Sequence, residues 1–298
     1  VADSDSSPSS EIVPGRSWRH FARVLPFASL LLLAGFGRCG GDATSGPVVT
    51  PLDAGTLLWS DEFEGTIGSA PDPSNWNYDV GTGSGGWGNN QLEYDTDSTA
   101  NIYLDGSGHL AITALHVSKD GSSYTSGRIN TAGKFAQTYG RIEASIKLPE
   151  GAGLWPAFWM LGCTNGTSWP MCGEIDIMEQ QGQAPTVNHG SMHGPAYSGG
   201  GALTAKYYLT SGTFADGFHL FAIDWTADEV DFSVDGTVYE QQKKSDLLAK
   251  NKQWVFDHDF YVIVNLAVGG NFVGSPNAGT AFPATMLVDY VRVYGPAQ

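Results

Sequence analysis

The sequence predicts an all-β fold, an antiparallel two-sheet sandwich of the jelly-roll kind, and three observations carry that prediction. Thirty-nine glycines and fifteen prolines stand against 15% charged residues, a balance that favours many turns over long solvated helices. Apolar and polar residues alternate in short runs, the period of a strand with one face on a core. Asp-Gly pairs beginning at Asp105, Asp120, Asp216 and Asp235 punctuate those runs as turns do.

The elements follow in chain order. Arg16, Arg19 and Arg23 precede an apolar or small run from Val24 to Gly37, too short to span a bilayer comfortably, so residues 1–39 read as an N-terminal extension with an export segment. Cys39 is the candidate for a lipid anchor, although Arg38 before it departs from the small residues such sites use. Residues 40–55 are a linker, and 56–298 form one domain of uniform texture. In Gly140–Leu148, Arg141, Glu143, Ser145 and Lys147 face one way and Ile142, Ala144, Ile146 and Leu148 the other, which predicts a half-buried strand. Cys163 and Cys172 bracket a turn-rich loop, and in an exported chain that spacing predicts a disulfide. Asn165-Gly166-Thr167 matches a glycosylation sequon by pattern alone. Val230–Tyr239 predicts a hairpin around Asp235-Gly236, and Ser245–Lys250 a short helix.

Charge excludes some functions. Fifteen basic side chains against thirty-one acidic ones give −16, a field that repels phosphate backbones and anionic membrane surfaces, so neither nucleic acid nor membrane is an expected partner beyond export or the anchor. With 298 residues, 41% of them hydrophobic, the chain can bury a sizeable core.

The chemistry concentrates in Gly173-Glu-Ile-Asp-Ile-Met-Glu179. In a regular strand Glu174 and Asp176 share a face and Glu179 points away; one β-bulge around Ile177-Met178 turns Glu179 onto the same face. Two carboxyls across a sugar bond are what a glycosidase needs, with Asp176 between them to share a proton. Trp155 and Trp159 in Leu154–Met160 lie upstream, and Gly86–Tyr94 adds amides; indole faces and amides suit a sugar's C–H faces and hydroxyls. Gly81–Gly86 fits a phosphate-loop pattern by letter, but Trp and Asn follow rather than a helix, so a loop at the cleft rim is expected. His189 and His193 lack the adjacent Glu and the helix of a zinc site.

Trp59–Phe63, Gly86–Asn90, Ser126–Arg128, Tyr139–Glu143, Leu154–Trp159, Gly173–Glu179, Phe218-His219, Asn265–Gly270 and Asp289–Val293 together give a sequence that resembles glycoside hydrolase family 16, specifically its bacterial laminarinase-like endo-β-1,3-glucanases, over nearly all of residues 57–295. The resemblance implies a concanavalin-like jelly roll with a concave substrate cleft. It implies Glu174 as nucleophile, Glu179 as general acid/base and Asp176 as assisting acid, with Asn90, Arg128, Trp155, Trp159 and His193 contacting glucose units. The Met in the carboxylate segment is specific, because the mixed-linkage branch typically has one residue fewer there. It further implies no catalytic cofactor and a structural Ca²⁺ held by Glu62, the Gly106 carbonyl and Asp289. The expectation is a secreted, monomeric endo-acting enzyme that cleaves internal β-1,3 bonds of laminarin-type β-glucan with retention. The rivals are a mixed-linkage β-1,3/1,4-glucanase or transglycosylase of the same family, and a non-catalytic glucan-binding module.

Overall fold

The computed structural model describes residues 55–164 and 166–296. The export segment, Cys39, nearly all of the linker and Asn165 of the sequon lie outside the described residues.

Strands dominate: β1 (Leu57–Asp61), β2 (Asn77–Tyr78), β3 (Glu93–Asp95), β4 (Ile102–Leu104), β5 (Leu110–Ala114), β6 (Tyr124–Ser126), β7 (Arg128–Asn130), β8 (Gly140–Lys147) and β9 (Leu154–Leu161). Then come β10 (Glu174–Glu179), β11 (Val187–His193), β12 (Leu203–Tyr208), β13 (His219–Trp225), β14 (Glu229–Val234), β15 (Thr237–Lys243), the short helix α1 (Lys244–Ala249), β16 (Tyr261–Val268) and β17 (Ala284–Tyr294). One antiparallel sheet runs β15-β14-β13-β8-β17-β5-β4, with β1 also on β17; the other runs β12-β11-β10-β9-β16-β7-β2. A separate two-stranded parallel pair joins β3 to β6. The order is that of a jelly roll, in which sequence neighbours often lie far apart in a sheet.

The core fills the space between the two large sheets. Phe158, Met160, Ile175, Val262 and Val264 from one meet Ile142, Ile146, Phe221, Ile223, Val288 and Val291 from the other, all fully buried. Each such side chain contributes on the order of 1.5–3 kcal/mol by leaving water. The residues between them in sequence therefore face outward on both sheets, and on the seven-stranded sheet those positions carry the chemistry.

The hairpin forms as expected, with Asp235 at φ 50° and Gly236 at φ 75°, the left-handed pair that a tight two-residue turn requires. The helix forms too, one residue earlier than expected. Cys163 and Cys172 are bridged, and their loop leads directly into β10. Strand β8 departs from expectation: Arg141, Glu143 and Ser145 are buried along with their apolar neighbours. The cause is its central place between β13 and β17, where Arg141 donates to Glu143 at 2.7 Å and to Asp224 of β13 at 2.8 Å. Charge satisfied by charge lets the polar face be covered.

Candidate active site

Three carboxylates reach one face because β10 is irregular. Against β9, Glu174 is opposite Leu161 and Asp176 opposite Trp159; the register then slips, so that Met178 is opposite Phe158 and Glu179 opposite Ala157. The slip falls at Ile177, the bulge the sequence demanded, and it leaves Glu174, Asp176 and Glu179 together on the outer face. Ile175, Ile177 and Met178 remain buried behind.

The register also builds rows across neighbouring strands. Arg128 of β7, Asn265 of β16, Ala157 of β9, Glu179 of β10 and His189 of β11 lie in one row. Glu174 sits in another, between Leu161 and His193. Except for His189, these residues line a cleft of about 330 Å³ that also takes in Asp176, Trp155 and Trp159. Asn90 is not among the lining residues; its amide donates to Asn271 at 3.0 Å.

Trp155 Nε1 donates to Glu179 Oε1 at 3.0 Å, while its ring is packed against Phe272, Val273 and Ala267, which leaves it 8% exposed. Trp159 Nε1 donates to Asn265 at 2.8 Å. The Arg128 guanidinium lies 4.8 Å from the Trp159 ring and 4.5 Å from the Trp87 ring, with its Nε on Asp79 at 2.8 Å. His193 Nδ1 accepts the Gly199 N–H at 3.1 Å, which places the ring proton on Nε2. That nitrogen lies 2.9 Å from Asp176 Oδ2 and 3.9 Å from Glu174 Oε1; the shorter contact is close without the alignment of a hydrogen bond, since Asp176 Oδ2 has no hydrogen-bond partner.

Three acids this close cannot all ionise. Burial pushes Glu174 up to about 8, with the Asp176 charge adding to it and His193 opposing. Burial and then the Glu174 charge push Glu179 up to about 7, against His193 and the Trp155 indole. Burial and the Glu179 charge hold Asp176 well above the usual carboxylate range. The triad thus keeps at least one proton near neutral pH while another carboxylate is free to attack or stabilise, the division of labour that acid–nucleophile chemistry needs.

Glu174, Asp176 and His193 offer one donor atom each within 4.8 Å of one another, a set that could hold a metal ion. The expected calcium ligands lie on or beside the eight-stranded sheet instead. There Glu62 accepts from Arg292 Nε at 2.9 Å and Nη2 at 2.7 Å, so both its oxygens already face a guanidinium. As placed, the Glu62 carboxylate would take a calcium ion only by releasing Arg292.

Sequence reasoning passed over Trp87, Trp169 and Asn265, all of which line the cleft. Trp87 follows Gly85 and Gly86 in left-handed turns; a Cβ on Gly86 would meet the Gln91 nitrogen at 2.4 Å, so that glycine is required for the loop to turn its indole inward. The signal for Trp169 was its place in the Cys163–Cys172 loop, just before β10.

Comparison with known proteins agrees with this geometry. The chain is 42% identical over 251 residues to a beta-glucanase of Rhodothermus marinus, covering 80% of this chain and 84% of that protein. It is 40% identical to glucan endo-1,3-beta-glucosidase A1 of Niallia circulans, covering 85% of this chain and 40% of the longer relative. Among solved structures, the laminarinase catalytic domain of Thermotoga maritima superposes with a TM-score of 0.78 at 44% identity, over 83% of this chain and all of that one. The family model for glycosyl hydrolases family 16 matches residues 84–289, a span that holds every carboxylate and indole of the cleft, and the chain belongs to that family.

Proposed function

We propose that this protein is a secreted, endo-acting glycoside hydrolase that cleaves internal β-1,3 bonds of laminarin-type β-glucans with retention of configuration. The observation that carries it is the bulge at Ile177, which brings Glu174, Asp176 and Glu179 onto one face of a cleft walled by indoles, an arginine and amides. Glu174 attacks the anomeric carbon as Glu179 passes its proton to the departing glycosidic oxygen; a glycosyl-enzyme ester forms, and Glu179 then takes a proton from the water that hydrolyses it. The division of roles between Glu174 and Glu179 is the one the family resemblance implies. His193 Nε2 lies beside Asp176 and Glu174 and favours the charged form of both Glu174 and Glu179, and the Trp155 indole donates to Glu179. Asp176 between them shares a proton during the cycle.

No step is routed through a metal, so turnover should survive EDTA. A structural Ca²⁺ at Glu62 would have to displace Arg292, and added calcium is expected to alter thermal stability rather than kcat. The domain from residue 56 onward acts as a monomer in this proposal. Export fits the bridged Cys163–Cys172 pair, and no helix among the described residues is long and apolar enough to cross a membrane.

The test is a reducing-sugar assay on pure laminarin, mixed β-1,3/1,4-glucan, cellulose and agarose, with early-time NMR of the product anomer. Laminarin cut fastest, with β-configured ends first, is the expected result. An α-anomer at first appearance would defeat the double displacement. A preference for mixed-linkage glucan or agarose would move the specificity while leaving the two-carboxylate mechanism standing. Binding without cleavage would make the protein a recognition module.

A further inference from the structure

Behind the cleft wall, Glu93 and Asp95 project to one side of β3 and are buried at 1% and 2% exposure. Among the described residues neither forms an ion pair; Glu93 Oε2 accepts the Val268 N–H at 2.8 Å, and Asp95 Oδ1 has no hydrogen-bond partner. Trp87 Nε1 is buried without a partner as well, and it faces Asp95 closely enough to favour the ionised carboxyl. Arg128 acts in the same direction on both acids. Two buried carboxyls without a bonded cation are costly, and an apolar pair of similar size would be easier to bury. The Trp87 loop carries a cost of its own, because Trp87 and Asn90 sit at φ 52° and 56°, in the left-handed region. The backbone at Asp95 pairs with Gly81 through two 2.9 Å hydrogen bonds at the base of that loop.

We propose that Glu93 and Asp95 are positioning residues for the glycan, setting Trp87 and Arg128 in the cleft wall from behind. This rests on the assignment of the cleft to a glucan. Asp95 faces the Trp87 indole N–H, and the pair draws on Arg128, whose guanidinium fills the gap between Trp87 and Trp159. The charged groups facing the pair are Arg128 from β7 and Asp79 after β2, besides each acid's effect on the other. Burial pushes Glu93 up to about 7, and burial together with the Glu93 charge holds Asp95 well above its ordinary range. The pair therefore keeps a proton at mildly acidic pH and loses it as pH rises, and the added negative charge pulls on Arg128 and the indole.

Indole ¹⁵N NMR reads this without substrate. The Trp87 signal, assigned with Trp87→Phe, should shift through a step above the ordinary carboxylate range as the pair loses its proton. Asp95→Asn should abolish the step, and Glu93→Gln, which keeps an acceptor for Val268, should displace it. In a Glu174→Gln background, Asp95→Asn should raise the calorimetric Kd for a laminari-oligosaccharide about tenfold. A Trp87 signal flat with pH, a step that persists in both variants, or an unchanged Kd once the step is gone would each overturn the proposal. If the step behaves as expected but no β-glucan oligosaccharide binds even the Glu174→Gln parent, the contact behind Trp87 stands and the glucan assignment falls.

Discussion

At the level of single residues the cleft sets like residues in unlike surroundings. Glu174 and Glu179 are chemically alike, yet one faces the His193 ring and the other the Trp155 indole. Glu174→Gln and Glu179→Gln should each lower turnover by roughly three orders of magnitude or more with the fold intact, since on the proposed mechanism each removes an attacking or proton-donating group outright. Asp176→Asn should be severe but milder, because it removes the proton-sharing partner. Trp155 is not an open platform; its ring is packed and its N–H stabilises the Glu179 carboxylate. Removing that donor in Trp155→Phe takes away an interaction that favours the charged form, so Glu179 holds its proton to higher pH. The alkaline limb of kcat/KM should therefore move up by roughly half a pH unit to one, readable in a pH–rate profile. A limb that stayed in place or moved down would place the catalytic acid elsewhere.

Elements decide which of those residues can meet. The β10 bulge was legible in the sequence because period-two alternation and a common face for three acids are incompatible over E-x-D-x-x-E, so an extra residue had to be absorbed. Deleting Ile177 tests that logic: the shortened strand would pair regularly, with its last Glu still opposite Ala157, and detectable retaining hydrolysis should survive. A complete loss of activity in a folded deletion variant would show that the bulge itself shapes the site. Strand β8 shows the opposite lesson. Alternation there reported polarity faithfully but not exposure, because Arg141, Glu143 and Asp224 satisfy one another across adjacent strands, a pairing no local pattern contains. Trp87 was hidden for a similar reason, since its place depends on left-handed turns at Gly85 and Gly86 and on acids that follow on β3. The Arg292 grip on Glu62 joins residues 230 positions apart and was likewise out of reach of a sequence pattern.

For the whole molecule, the cost of holding acids in low-dielectric surroundings sets how stability varies with pH. Glu93 and Glu179 are pushed up to about 7 and Glu174 to about 8 from an ordinary value of 4.5, while Asp95, Asp176 and Asp224 are raised as well. Between 4.5 and about 8 the folded chain keeps protons that the unfolded chain has released, so the unfolding free energy falls as pH rises through that window. Each pH unit over which one such group differs costs about 1.4 kcal/mol. Glu62, Asp105 and Asp257 are shifted the other way by their cationic or hydrogen-bonded partners, and their contribution is lost as pH falls below the carboxylate range. The net charge of −16 acts with the first group, since self-repulsion grows as more acids ionise. The melting temperature should therefore peak in mildly acid solution, near pH 4.5 to 5, and decline toward pH 8. Glu93→Gln removes one buried titration while keeping the acceptor for Val268, so calorimetry across that range should show a shallower decline for the variant than for the parent. A parent melting temperature that rose from pH 5 to pH 8, or a variant slope identical to the parent's, would mean that the acids behind the cleft are ionised in the folded protein and that their charge is met in some other way.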